Sequence, residues 1–169
     1  MPRRKTHAYV GMTAGIGYAA FQAKEQGSAN LFVEAAGGAL GGWWGGQLPD
    51  VIEPGTHPWH RSLAHSGVAG TTSLTAGRSK LNLCQDQCRR QAEACRIKRE
   101  SLKMVPHPSQ PNLFVPAPSD QWEHLCLTIQ ELFWRFAAGF ANGFAAGYVS
   151  HLALDAGTPR SLPLLVRGF

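Results

Sequence analysis

Gly38, Gly42 and Gly46 follow one another at four-residue intervals and run into Asp50. Far downstream, Gly139, Gly143 and Gly147 do the same and run into His151 and Asp155. Residues four apart share one face of a helix, so each series is a ridge that carries hydrogen atoms where other helices carry side chains. Two such ridges allow two helix backbones to approach far more closely than Leu- or Phe-bearing faces would. This pattern predicts that the stretches 29–48 and 132–155 are helices packed against each other. Close packing accounts for the glycines but not for the residues at the ends of the ridges. Asp and His on an apolar face are costly to bury unless they are paired or hold a cation.

The remaining chain divides by the same logic. Residues 7–26 read as a first helix with Ala, Gly, Ile, Tyr and Phe on its apolar face, and Gly27-Ser28 ends it, with Ser28 a cap for the next helix. Residues 49–60 contain Pro49, Pro54, Gly55 and Pro58 and read as a loop. A short helix is expected over 61–76, and a long polar helix with a Leu/Cys/Ile stripe over 79–103. Five prolines fall within 105–119, which predicts an extended loop. Asp120 is the expected cap of a last long helix over 120–155. No alternating run of useful strand length occurs. The expected architecture is therefore all-α: one compact helical bundle over 1–169, with a Pro-rich loop before the last long helix and a His/Asp metal site at the helix ends.

Charged residues make up only 16% of the chain, and the net charge is +5 with His neutral. The excess sits at Arg3-Arg4-Lys5 and over 78–103. It suits an anionic partner such as phosphate, a lipid headgroup or nucleic acid, or it is a solvated basic face. No secretory signal is visible, so the chain is expected not to be secreted and to stay in the cytoplasm or at the inner membrane. Cys84, Cys88, Cys95 and Cys126 are then free thiols. The first three lie on one helix face without the two-residue gaps of zinc knuckles, and read as core thiols. The stretches 30–48 and 132–154 approach membrane-span length but contain Glu34, and Arg135, Asn142 and His151, respectively. Mean hydropathy is −0.17, which favours a soluble or peripherally bound chain.

The candidate chemistry lies in His and Asp. His151 and Asp155 form H-x-x-x-D, one helical turn apart, a spacing that lets an imidazole and a carboxylate bind one cation. His60 and His65 bracket Arg61-Ser62-Leu63-Ala64, Asp50 follows the Leu48-Pro49 helix end, and His7 starts the first helix. Asp50, His65, His151 and Asp155 lead the candidate ligand set, with His7 and His60 beside them. Glu53 and Glu34 are candidates for a general base or an extra ligand. His57 lies in a Pro/Gly-rich loop, and His107 and His124 read as exposed.

Three strings carry a family resemblance: Leu48-Pro49-Asp50, the run from His60 to Ser66, and Gly147-Tyr148-Val149-Ser150-His151-Leu152-Ala153-Leu154-Asp155-Ala156-Gly157-Thr158-Pro159. They resemble the bacterial YdjM-like family, described as inner-membrane metal-dependent hydrolases, whose pattern is L-P-D-x-D-x-P, then H-R-x-x-T-H-S, then G-x-x-S-H-x-x-x-D-x-x-T-P. His7 also matches a His near the start of such proteins. The resemblance covers 5–75 and 140–166 and leaves 77–120 as an insertion. Ile52 stands where the pattern has its second Asp, with Glu53 beside it, and Ala64 stands where it has Thr. The order of ligands is also similar to zinc-dependent phospholipase C and the related single-strand nucleases, an analogy to phosphoester chemistry.

The expected function is that of a metal-dependent hydrolase, acting on a small-molecule, phosphoester or lipid-like substrate through a metal-activated water. A divalent ion, zinc first, would lower the pKa of that water to about 7. Glu53 would take its proton, and Arg61 would hold an anionic substrate oxygen. The alternatives are a non-catalytic protein that binds nucleic acid or a regulator through the basic helix 79–103, and a structural membrane-associated protein that uses its glycine ridges for helix association.

Overall fold

The computed structural model describes residues 4–52 and 67–156, with Arg4, residues 67–76 and Arg78 described by their backbone alone. The order of elements is α1 (Arg4–Ala23), α2 (Ser28–Gly45), α3 (Leu48–Ile52), α4 (Gly67–Glu100), β1 (Met104–His107), β2 (Gln110–Pro116) and α5 (Gln121–Ala156). The protein is a helical bundle, as the spacing of its apolar and small residues requires. Its long helices, α4 and α5, have 34 and 36 residues, or roughly 50 Å each at about 1.5 Å per residue.

The glycines set the arrangement. In α2, Gly38 and Gly42 meet Gly15 and Gly11 of α1 in antiparallel order, and they meet Gly143 and Gly147 of α5 in parallel order. A second glycine series in α2, Gly37, Gly41 and Gly45, lies against the backbone of α5 around Phe136, Phe140 and Phe144. The contacts are backbone to backbone: a Cβ added at Gly147 would lie 2.8 Å from the Gly42 Cα. Helix α2 is thus held between α1 and α5, and α4 lies along α5.

Such close axes leave room inside only for small groups. Buried residues of α1 include Ala8, Ala19 and Ala23, while Ile16, Tyr18 and Phe21, expected on the inner face, are exposed. The apolar stripe expected on the polar helix differs likewise. Cys88, Ala92 and Cys95 are buried in α4, whereas Leu83, Ile97 and Cys84 face outward.

Four local expectations are corrected. The short helix expected over 61–76 and the long one over 79–103 are one continuous helix from Gly67 onward. The segment after Pro49 is helical to Ile52, because Pro suits the first turn of a helix. The Pro-rich loop over 105–119 is an antiparallel hairpin, with Val105 paired to Val115 and Pro106 to Phe114. A two-stranded sheet is all edge, so its prolines can turn their missing donors outward. It is the only sheet among the described residues. The last correction concerns the cap of α2. Ser28 is the first residue of α2, and Gly27 precedes it with φ +86°, a conformation that favours glycine. Asp120 stands directly before α5, where it was expected, and its carbonyl accepts from the His124 N–H at 2.8 Å, while its carboxylate accepts from the Lys103 N–H at 3.3 Å and the Ser119 hydroxyl at 2.7 Å and so ties the base of the hairpin to α5.

Candidate metal centre

Because α1 runs opposite to α2 and α5 runs with it, the start of α1 and the ends of α2 and α5 meet at one end of the bundle. His7 enters from the first turns of α1, Asp50 from α3 directly after α2, and His151 and Asp155 from the last turns of α5. His151 Nε2 lies 3.6 Å from Asp155 Oδ2 and 3.7 Å from Asp50 Oδ1. His7 Nε2 lies 3.5 Å from Asp155 Oδ1, and the two imidazoles stack with centroids 3.9 Å apart. His7, His151 and Asp155 are buried, and one ligand atom from each falls within 4.8 Å of the others, so the three form a group that could hold a metal ion. Asp50 has a side chain 23% exposed and marks the more open side of the cluster.

The orientation of His151 follows from one contact. Its Nδ1 lies 2.7 Å from the Gly46 carbonyl oxygen. A carbonyl only accepts, so Nδ1 carries the proton, and in the neutral ring Nε2 offers its lone pair toward the two carboxylates. The glycine ridge makes this contact possible: the α2 backbone comes near enough for an α5 side chain to reach a carbonyl at the helix end. The same ridge that packs the bundle therefore fixes the ring.

The sequence-derived site residues divide in two. His7, Asp50, His151 and Asp155 converge. His60, His65, Glu53, Arg61 and His57 lie outside the described residues. His107 sits in the hairpin, where its Nδ1 accepts from the Ser109 N–H at 3.2 Å. His124 is in the first turn of α5, about 40 Å of helix from His151 at 1.5 Å per residue.

Glu34 is not at the cluster. It is fully buried about 18 Å of helix before Gly46, again at 1.5 Å per residue. Arg89 of α4 donates to both its oxygens, at 3.3 and 2.6 Å, and Arg135 of α5 lies 3.7 Å from Oε1. Arg135 also donates to the Gln26 side-chain oxygen. Gln85 and Asn142 continue this network. With its amide turned to suit its neighbours, Gln85 donates to Asn142 Oδ1 at 2.9 Å and accepts from Arg89 Nη1 at 3.0 Å. At its outer edge Arg96 donates to both oxygens of Glu93, at 3.0 and 2.5 Å, and these bonds hold the Glu93 carboxyl below the usual range.

Reading for ligands alone missed this network, yet the sequence carried its signal. Glu34 precedes Gly38 by four residues and Arg135 precedes Gly139 by four. Each ridge therefore begins, as it ends, with a side chain too polar for an apolar interface, and the two at the beginning have opposite charge.

An apolar cavity of about 970 Å³ lies on the flank of the bundle. Ala14, Tyr18, Phe144 and Tyr148 line it, together with Leu48 and Ile52 of α3, the helix that carries Asp50. Comparison with family models, curated proteins and solved structures finds no match for this chain.

Proposed function

We propose that the protein is a metal-dependent hydrolase of the YdjM-like type, with zinc or a similar divalent ion held by His7, His151, Asp155 and Asp50. One observation carries the reading: the spacing of the donor atoms. Zinc binds nitrogen and oxygen at about 2.0–2.2 Å, so two ligands of a tetrahedral site lie roughly 3.4 Å apart. The pairs found here, 3.5, 3.6 and 3.7 Å, are too long for hydrogen bonds and close to that edge. Neutral imidazole and carboxylate suit such an ion.

A bound ion would supply a water acidified to near neutrality. The chain's own part is to hold the donors. The Gly46 carbonyl keeps the His151 Nε2 lone pair turned inward, and the ring stack fixes His7 beside it. The partly exposed Asp50 side is where a substrate would approach. Glu53 and Arg61 are assigned as proton acceptor and anion holder on sequence grounds, since one follows α3 and the other lies in the second motif.

The cavity favours a substrate with an apolar chain, such as a lipid-like ester or phosphoester. It shares α3 and the end of α5 with the donors, and its lining is mostly aliphatic and aromatic. The outer surface points the same way. Tyr9, Phe21, Phe32, Trp44, Trp122 and Phe133 are each more than half exposed, while His151 and Glu34 are among the largest fully buried side chains. Large apolar groups outside and polar groups inside suit contact with lipid. No described helix is long and apolar enough to cross a membrane, so the contact proposed is peripheral.

The test is hydrolysis of chromogenic carboxylic and phosphodiester substrates by zinc-loaded protein. Activity should vanish with a chelator, return with zinc, and be lost in Asp155→Asn. Activity that survives the chelator and Asp155→Asn alike would remove the metal from the mechanism.

A further inference from the structure

At the other end of α2 from the metal cluster, a cleft of about 560 Å³ opens between the α1–α2 turn, α4 and α5. Four guanidiniums line it, those of Arg89, Arg90, Arg96 and Arg135, with Glu25, Asp86 and Glu93 also on its walls.

Arg135 is the informative member. It is 5% exposed, so it is a cation held almost wholly out of water. Its carboxylate neighbours are distant for direct bonding, Glu34 at 3.7 Å and Glu93 at 3.9 Å. Both are already engaged bidentately, Glu34 by Arg89 and Glu93 by Arg96. Its Nε has no hydrogen-bond partner among the described residues. One buried carboxylate thus answers two guanidiniums, and a buried charge that lacks a close counter-ion is costly.

We propose that this cleft is a binding site for a phosphate-type oxyanion, free or as the headgroup of a lipid. Arg135, whose Nε has no partner among the described residues, offers a donor to the acceptor oxygens of such a group, and charge-assisted bonds to Arg are strong. Arg90, exposed on the cleft wall, supplies a further cation at the mouth. Further along α4, Lys98 pairs with Glu123 and Arg99 with Glu131, so their charge is answered outside the cleft. A cleft of about 560 Å³ has room for one such anionic group. Glu25 and Asp86 favour a ligand whose oxyanion is accompanied by hydroxyl or ammonium groups. The site lies roughly 24 Å along α5 from the metal cluster, from Arg135 to His151 at about 1.5 Å per residue, and uses none of its side chains.

The test is titration of the intact protein with inorganic phosphate at constant ionic strength, against chloride, by calorimetry and thermal melting. Phosphate should bind and raise the melting temperature where chloride does not. Arg90→Ala should weaken phosphate by about tenfold or more, the loss of a charge-assisted contact, and Arg135→Gln should abolish binding. Arg90 is exposed, so its variant remains informative if Arg135→Gln does not fold. A phosphate site at the metal centre instead would leave Arg90→Ala unchanged, which would overturn the proposal, as would no effect of phosphate beyond that of chloride. Phosphatidylcholine vesicles with and without phosphatidate identify the source: Arg90-dependent binding to phosphatidate, competed by free phosphate, assigns a headgroup. Arg90-dependent phosphate binding without it assigns a free anion.

Discussion

Replacing Gly143 by Ala tests the geometry on which the candidate metal centre depends. The added Cβ would lie 2.6 Å from the Gly38 Cα and 2.7 Å from its carbonyl carbon. Carbon atoms rest about 3.5–4.0 Å apart, so α2 and α5 must separate by roughly 1 Å. Overpacking a core costs about 1–3 kcal/mol when neighbouring side chains can move. Here the neighbour is a backbone held on its other side by α1, and the cost should reach the top of that range, about 3 kcal/mol. For a chain of this size about 1 kcal/mol moves the melting temperature by roughly 2–4 °C, so Gly143→Ala should melt about 6–12 °C lower. Gly17 is the internal control. It is also in a helix, but a Cβ there meets nothing within 4 Å. Gly17→Ala should therefore stabilise by about 0.5–1 kcal/mol through lost chain freedom. Far-UV circular dichroism melts of both variants settle the matter. If Gly143→Ala melts within about 2 °C of wild type, or no lower than Gly17→Ala, the helices are not in backbone contact at that point.

Other outcomes follow from the same structure. Glu34→Gln leaves the buried Arg135 and the half-buried Arg89 without their shared carboxylate and should cost about 3–5 kcal/mol, read as a lower urea midpoint; an unchanged midpoint would place Glu34 in water. Burial, helped by the neighbouring Cys84 thiol, pushes the Cys88 thiol up to about 11. Cys84 should therefore be alkylated by iodoacetamide at pH 8 while Cys88 resists, with mass spectrometry assigning the adducts, and equal labelling would contradict this. The sign of the pH effect is fixed: the unfolded thiol ionises first, so the contribution of Cys88 is present below pH 9 and is lost as pH rises toward 11. A chelator should lower the melting temperature of zinc-loaded protein and leave that of His151→Ala unchanged; equal shifts would move the ion elsewhere.

Much of the bundle was legible because glycine spacing is a backbone constraint. A ridge at four-residue intervals has one use in a helix, and Gly38–Gly143 and Gly42–Gly147 meet as that spacing requires. The same constraint turned Tyr18 and Phe21 outward, against the rule that large apolar groups fill the core: between touching backbones there is no room for them. The hairpin was hidden by its prolines, which break the alternation that marks a strand although a two-stranded sheet tolerates them at its edges. Asp50, His151 and Asp155 were readable as candidate ligands because each ends a ridge. Arg135 and Glu34 were not recognised as partners, since their pairing depends on α4, whose Arg89 sits in a segment that reads as a solvated basic face. His60 and His65 fall outside the described residues, so their place beside His151 rests on motif order.

The central claim is that His7, Asp50, His151 and Asp155 hold one divalent ion. It is tested most directly by measuring metal content in purified protein after zinc loading and dialysis. Wild type should retain about one zinc per chain, and His151→Ala, Asp155→Ala should retain almost none while keeping its helical circular dichroism. A folded double variant that keeps the wild-type metal content, or a wild type that retains no metal, would contradict the account.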